Sequence, residues 1–185
     1  LVYGIPSFKL EKDVVQAEID VIKEMGVEIK TGVEVGKDIT LDELRAQGYK
    51  AFYIAIGCQG GRLPGIPNDT AKGCSSAVDL LKEVNANEKY DIKGDVVVIG
   101  GGNVSMDAVR TAKRLGAKKV SIVYRRRTAD MTALPAEIEG AVAEGIEVLT
   151  LKAPSRIETD ENGHVSGIYV TPQMISKIKD GRASV

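Results

Sequence analysis

The stretch Val96-Val97-Val98-Ile99-Gly100-Gly101-Gly102-Asn103-Val104-Ser105-Met106-Asp107 decides the fold of this 185-residue chain. Four β-branched residues run into a glycine cluster, and a helix-compatible segment follows, so the order is strand, tight turn, helix. The run fits the fingerprint G-x-G-x-x-[GA] at Gly100, Gly102 and Ser105, with a small serine in the third slot. The first glycine permits a sharp exit from the strand. The second allows backbone N–H groups to approach a pyrophosphate with no Cβ in the way, and the third small residue lets helix and strand pack closely. The helix then directs unpaired N–H donors and the positive end of its dipole at the phosphates.

The flanks strengthen this reading. Val104, Ala108, Ala112 and Leu115 recur at helical spacing, Arg110, Lys113 and Arg114 occupy the last turns, and Gly116 supplies a stop. A second apolar run, Val120-Ser121-Ile122-Val123-Tyr124, completes a βαβ unit of about thirty residues. A ligand-free β-to-α turn is the competing reading of the glycines alone. Where an NAD site carries an acidic residue for the ribose 2′-OH, this chain has Arg125-Arg126-Arg127. One charge-assisted hydrogen bond to phosphate contributes roughly 1.5–3 kcal/mol, so two favour NADP over NAD by roughly a hundredfold or more. The expected ligand is therefore NADP(H), with Arg125 and Arg126 better placed than Arg127. A solvated basic loop is the alternative.

Composition bounds the rest. Hydrophobic residues make up 43% and charged residues 28%, the balance of a globular protein, and the net charge of −1 offers no general attraction to nucleic acid or membrane. No apolar run approaches a membrane span and Leu1 opens no signal-peptide pattern, so a cytoplasmic location is expected. The two cysteines, Cys58 and Cys74, match no zinc or iron–sulfur spacing, and the single histidine, His164, falls in a turn; no metal site is expected. No Walker motif is present.

One phrase recurs along the chain: amphipathic helix, glycine, short apolar strand. It occurs at Met25-Gly26-Val27, Leu115-Gly116-Ala117 and Glu144-Gly145-Ile146. The first helix begins near Asp13 with Val15, Ile19 and Ile22 on one face, and the third begins near Pro135 with Ile138, Ala141 and Val142. Repeated links of this kind imply a parallel sheet and an α/β fold. Residues 49–57 read as a further buried strand ending at Gly57, the Gly- and Pro-rich stretch 60–68 as a domain junction, and 156–160 with 165–170 as a hairpin about Asn162-Gly163.

Taken in order, Tyr3-Gly4-Ile5-Pro6, Val35-Gly36-Lys37-Asp38-Ile39-Thr40, Ala55-Ile56-Gly57, the glycine run, Tyr124-Arg125-Arg126-Arg127, residues 131–137 and Glu144-Gly145 cover most of the chain. In these motifs the chain resembles the NADPH-binding part of the glutamate synthase small (β) subunit family, which includes related ferredoxin:NADP oxidoreductases and the flavin module of dihydropyrimidine dehydrogenase. The resemblance implies a flavoprotein in which an NADP domain is inserted into an FAD domain. In it, NADPH gives hydride to the flavin, and electrons leave singly through iron–sulfur clusters to a partner such as the large glutamate synthase subunit or ferredoxin. It further implies that Gly102, Asn103, Val104 and Ser105 line the pyrophosphate and nearby nucleotide, and that Arg125 and Arg126 meet the 2′-phosphate; Gly100, the turn glycine of the fingerprint, completes the expected cofactor-binding set. Pro135 and Glu137 fall in a motif near the nucleotide, although Glu137 also suits a helix start. Gly57 matches a turn near the flavin, with Ile56 where the family has Thr.

The expectation is thus a Rossmann-like NADP(H)-binding domain at 68–185, truncated at its C-terminal end, preceded by part of a flavin-type α/β domain at 1–67. The chain reads as a segment of a longer enzyme and holds no identifiable catalytic residue. A flavin-independent dehydrogenase and a non-catalytic nucleotide-sensing module are the other function classes that the fingerprint permits.

Overall fold

A computed structural model describes residues 1–87 and 89–185. The chain divides into two compact units, one formed by Leu10–Gln59 and the other by Leu1–Lys9 together with Gly60–Val185.

The Leu10–Gln59 unit contains two helices, α1 (Lys12–Glu24) and α2 (Leu41–Ala46). Helix α1 turns out of its last turn through Met25 into Gly26, whose φ of 88° is the left-handed conformation that glycine adopts without a Cβ penalty. Only part of its expected apolar face is covered. Val15 is buried, Ile19 is half-buried and Ile22 is exposed. Helix α2 starts at a capping box: Glu43 N–H donates to Thr40 Oγ1 at 3.2 Å, and Thr40 N–H donates to Glu43 Oε2 at 2.8 Å.

Two expected strands do not form here. Val27 onward is irregular, and residues 49–57 lie outside any ladder, with Tyr53 93% exposed. A strand needs a neighbour for its backbone N–H and C=O groups. The pairing among the described residues of this unit is the single bridge Val35–Ile39.

The other unit realises the βαβ reading. Helix α3 (Ala77–Ala86), capped by the Ser76 side chain, precedes strand β1 (Val96–Ile99), helix α4 (Asn103–Arg114) and strand β2 (Val120–Val123). A short 3-10 turn at Thr128–Asp130 leads to α5 (Pro135–Ala143) and β3 (Glu147–Leu149). Proline occupies the first turn of α5, where its missing N–H costs nothing. The three strands form a parallel sheet in the order β1-β2-β3, with Val96 opposite Val120 and Ser121 opposite Glu147. This βαβαβ arrangement is one mononucleotide-binding half of a Rossmann-like α/β fold.

The core lies between this sheet and the helices. Met106, Val109 and Ala112 of α4 meet Val120 and Ile122 of β2, Ala141 of α5, and Ile146. All four residues of β2 are buried, as a central strand requires. Two antiparallel hairpins follow, β4 (Lys152–Thr159) with β5 (Val165–Pro172), and β6 (Lys177–Lys179) with β7 (Arg182–Ser184). The β4–β5 turn contains Asn162 and Gly163 as its sequence implied. Asp160 Oδ1 secures it by accepting the N–H groups of Asn162 at 2.9 Å and His164 at 2.8 Å.

Candidate nucleotide site

Strand β1 ends at Gly100, whose φ is 142° and where a Cβ would stand 2.5 Å from Ser105 Oγ. The φ favours glycine, and a side chain there would also displace the Ser105 hydroxyl. Gly101 is more tightly enclosed, because a Cβ there would fall 2.9 Å from Met131 Cγ and from the Tyr124 ring. Gly102 differs. Its backbone is extended (φ −101°, ψ 174°), and the nearest protein atom to a Cβ would be Thr132 Oγ1 at 3.4 Å. The fold therefore favours glycine at 100 through its φ and at 101 through its enclosure, whereas at 102 a Cβ would meet its nearest protein neighbour only at ordinary van der Waals distance.

No side chain caps the start of α4 and its first turn carries no acid. The Gly102 carbonyl accepts N–H groups from Ser105 at 3.0 Å and Met106 at 3.2 Å, while the helix offers its positive end at the glycine turn. A second loop is stitched to this turn. Thr132 and Ala133 donate their N–H groups to the Gly101 carbonyl at 2.9 and 3.0 Å, and Leu134 donates to Asn103 Oδ1 at 2.9 Å. Asn103 thus spends its acceptor inside the protein and keeps its amide donors. Val104 is exposed beside it, whereas Ser105 is buried against Gly100.

At the end of β2 the three arginines separate. Arg125 is exposed and lines a cleft of about 290 Å³ together with Ile99, Gly100, Val123, Tyr124 and Pro154. Arg126 is half-buried, and its Nε is buried with no partner among the described residues. Arg127 is engaged by Asp130: its Nε and Nη2 donate to the two carboxylate oxygens at 2.8 and 2.9 Å, and its backbone N–H donates to Oδ2 at 3.1 Å. Arg127 and the Ala183 N–H hold the Asp130 carboxyl well below the usual carboxylate range, against the opposing effect of burial.

The cleft opens at the carboxyl ends of adjacent parallel strands, where α/β sheets bind ligands. Gly100 and Arg125 share it, while Gly102, Asn103, Val104 and Ser105 form the adjoining helix start. Arg126 does not line the cleft. Glu137 forms ion pairs with Lys9 at 2.9 Å and Arg110 at 3.1 Å. The residues that pattern reading passed over are Gly101, Tyr124, Asp130 and Thr132. The third consecutive glycine was the available signal for the first of them. Among the described residues no group of His, Cys, Asp and Glu side chains is placed to hold a metal ion, and no helix is long and apolar enough to cross a membrane.

A glycine turn, an uncapped helix start and an arginine-bearing strand end thus meet on a Rossmann-like half-sheet. The sequence matches the pyridine nucleotide-disulphide oxidoreductase family over residues 7–174, and the chain belongs to that family. It is 36% identical over 179 residues to the glutamate synthase [NADPH] small chain of Escherichia coli (strain K12), covering 91% of this chain and 38% of that one. It is 37% identical over 183 residues to the NADP(+)-dependent formate dehydrogenase subunit beta of Moorella thermoacetica, covering 97% of this chain and 26% of the relative. The NADPH-Fe(3+) oxidoreductase subunit beta of Geobacter sulfurreducens (strain DL-1 / KN400) is 35% identical over 168 residues, covering 89% of this chain and 25% of the relative. The chain therefore spans well under half of the length of each of these relatives. In fold it is similar to FprA from Mycobacterium tuberculosis in complex with NADPH, with a TM-score of 0.71 at 19% identity over 99% of this chain and 56% of that one.

Proposed function

We propose that this chain is the NADP(H)-binding portion of a longer flavin-dependent oxidoreductase of the glutamate synthase small-subunit type. The observation that carries the reading is the meeting of the Gly100 turn and Arg125 in one cleft, with the uncapped start of α4 beside it. The backbone donors of α4 suit a pyrophosphate, and the absence of a Cβ at Gly102 allows it to come close. Arg125, which lines the cleft, supplies the charge for a 2′-phosphate; Arg126 stands next to it at the same strand end, half-buried and outside the cleft lining, and is the second candidate.

In the parent enzyme, bound NADPH supplies a hydride, and FAD and iron–sulfur clusters carry the electrons onward. Residues 68–185 are the nucleotide-binding part, and residues 1–67 belong to the flavin-type part, with 1–9 and 60–67 folded into the same compact unit as the nucleotide-binding residues. The relatives are named as small chains and beta subunits, which supports a partner subunit, of which the large glutamate synthase subunit is one candidate. Calorimetric titration of the chain with NADPH and NADH, repeated on Arg125→Ala/Arg126→Ala, tests the reading. A preference for NADPH that the double variant loses is expected. Equal affinity for both nucleotides sinks the 2′-phosphate assignment.

A further inference from the structure

Three arginines follow β2, yet Arg127 is removed from the cleft by Asp130. The Asp130 side chain is fully buried, and its oxygens accept from Arg127 N, Nε and Nη2 and from the Ala183 N–H at 2.8 Å. Arg127 Nη2 also donates to the Gly181 carbonyl at 2.9 Å, so the same clasp fastens the β6–β7 hairpin to the arginine turn. From the other side, Tyr124 Oη donates to the Asp130 carbonyl at 2.8 Å, and the Tyr124 ring closes over Gly101. One aspartate thus joins the turn carrying Arg125 to the turn carrying the glycines.

We infer that Asp130 is a positioning residue for nucleotide selectivity: it withholds Arg127 from the ligand and fixes the turn so that Arg125 faces the cleft. The inference rests on the reading of this cleft as an NADP(H) site. A guanidinium forked onto both oxygens of a carboxylate keeps few donors for a phosphate. A turn tied at its third residue and backed by the half-buried Tyr124 holds its first residue with little conformational freedom, which lowers the ordering cost of binding.

Titration of the chain and of the variants Asp130→Asn and Arg127→Lys with NADPH and NADH tests this, with thermal melts to confirm folding. Asp130→Asn keeps the shape but loses the charge that grips Arg127. Its NADPH affinity is expected to fall by about tenfold while NADH affinity changes by less than about twofold. Arg127→Lys keeps a cation for the buried carboxylate but loses the fork, so a smaller loss of about threefold in the same direction is expected even if Asp130→Asn fails to fold. If either folded variant binds NADPH as well as, or better than, the parent chain, the inference is overturned, because the clasp is then not what orients the turn. The Arg125→Ala/Arg126→Ala variant separates the two failures. If it removes the NADPH preference while Asp130→Asn and Arg127→Lys keep it, the selectivity role alone falls. If the parent chain shows no NADPH preference, the site reading falls and the selectivity role with it.

Discussion

Asn103 Oδ1 accepts the backbone N–H of Leu134 at 2.9 Å, which ties the first residue of α4 to the residue preceding α5. Removing the acceptor in Asn103→Ala should cost about 0.5–1.5 kcal/mol, because a hydrogen bond is lost at a site that water reaches. Asn103→Asp separates folding from binding. It retains the acceptor and places a negative charge at a helix N-terminus, a contribution of about 0.3–1 kcal/mol in favour of the fold. The same charge repels a phosphate. A melting temperature at or above that of the parent, with weaker NADPH binding in titration, is the expected pair of results.

The glycines at 101 and 102 should respond in opposite ways. At Gly101 a Cβ meets Met131 and the Tyr124 ring at 2.9 Å, so Gly101→Ala is overpacked and should lose about 1–3 kcal/mol in chemical denaturation. At Gly102 the backbone is extended and the nearest atom stands 3.4 Å from a Cβ, so Gly102→Ala should melt close to the parent temperature. Its NADPH affinity should nevertheless fall, since the methyl group occupies the approach to the helix start. A Gly102→Ala variant with parental affinity would mean that the pyrophosphate does not come close at that position.

That contrast shows where the sequence was legible. Val96–Ile99, the glycine run and the arginines sit within a local βαβ unit, whose periodicity and turn residues are set by neighbours in the chain. The fingerprint names positions 100, 102 and 105, but the enclosure of Gly101 comes from Tyr124 and Met131, more than twenty residues away, and no local pattern encodes it. The Asp130 clasp depends likewise on Ala183 and Gly181. The error at 49–57 has the converse cause. Its apolar residues satisfy a strand pattern, but a ladder also needs a neighbouring strand, and pattern alone does not supply one.

The N-terminal segment is fastened by charge. Lys9 Nζ lies 2.9 Å from Asp107 on α4 and 2.9 Å from Glu137 on α5, and Phe8 stacks on Arg110 and Arg114 with guanidinium-to-ring distances of 4.7 and 3.9 Å. Asp107 is buried, so Lys9→Met leaves its carboxylate with no cation and should cost about 1–3 kcal/mol. Glu137 keeps Arg110. Adding Asp107→Asn to Lys9→Met should return part of the loss, and urea unfolding of the four members of the cycle measures the coupling. Strict additivity would show that the pair does not interact in solution.

Glu144 gives the chain an acid-sensitive joint. Its carboxylate accepts from Arg114 at 2.6 and 2.9 Å and from Arg110 Nε at 2.9 Å, which holds its pKa down to about 2 from an ordinary 4.5, against the opposing effect of burial. Because the folded value is the lower one, the contribution to stability is present above pH 4.5 and disappears as pH falls towards about 2. Partial exposure screens the interaction, so Glu144→Gln should be less stable than the parent at pH 7 by about 1–2 kcal/mol. The difference between the two proteins should shrink through that acid window and vanish near its lower end. Asp130, whose carboxyl is also held low, is common to both proteins and cancels from the difference. Denaturant titrations of parent and variant at several pH values down to the acid limit supply the measurement. A gap between them that does not change with pH would show that packing of the side chain, not its ionisation, joins α4 to the residue that ends α5.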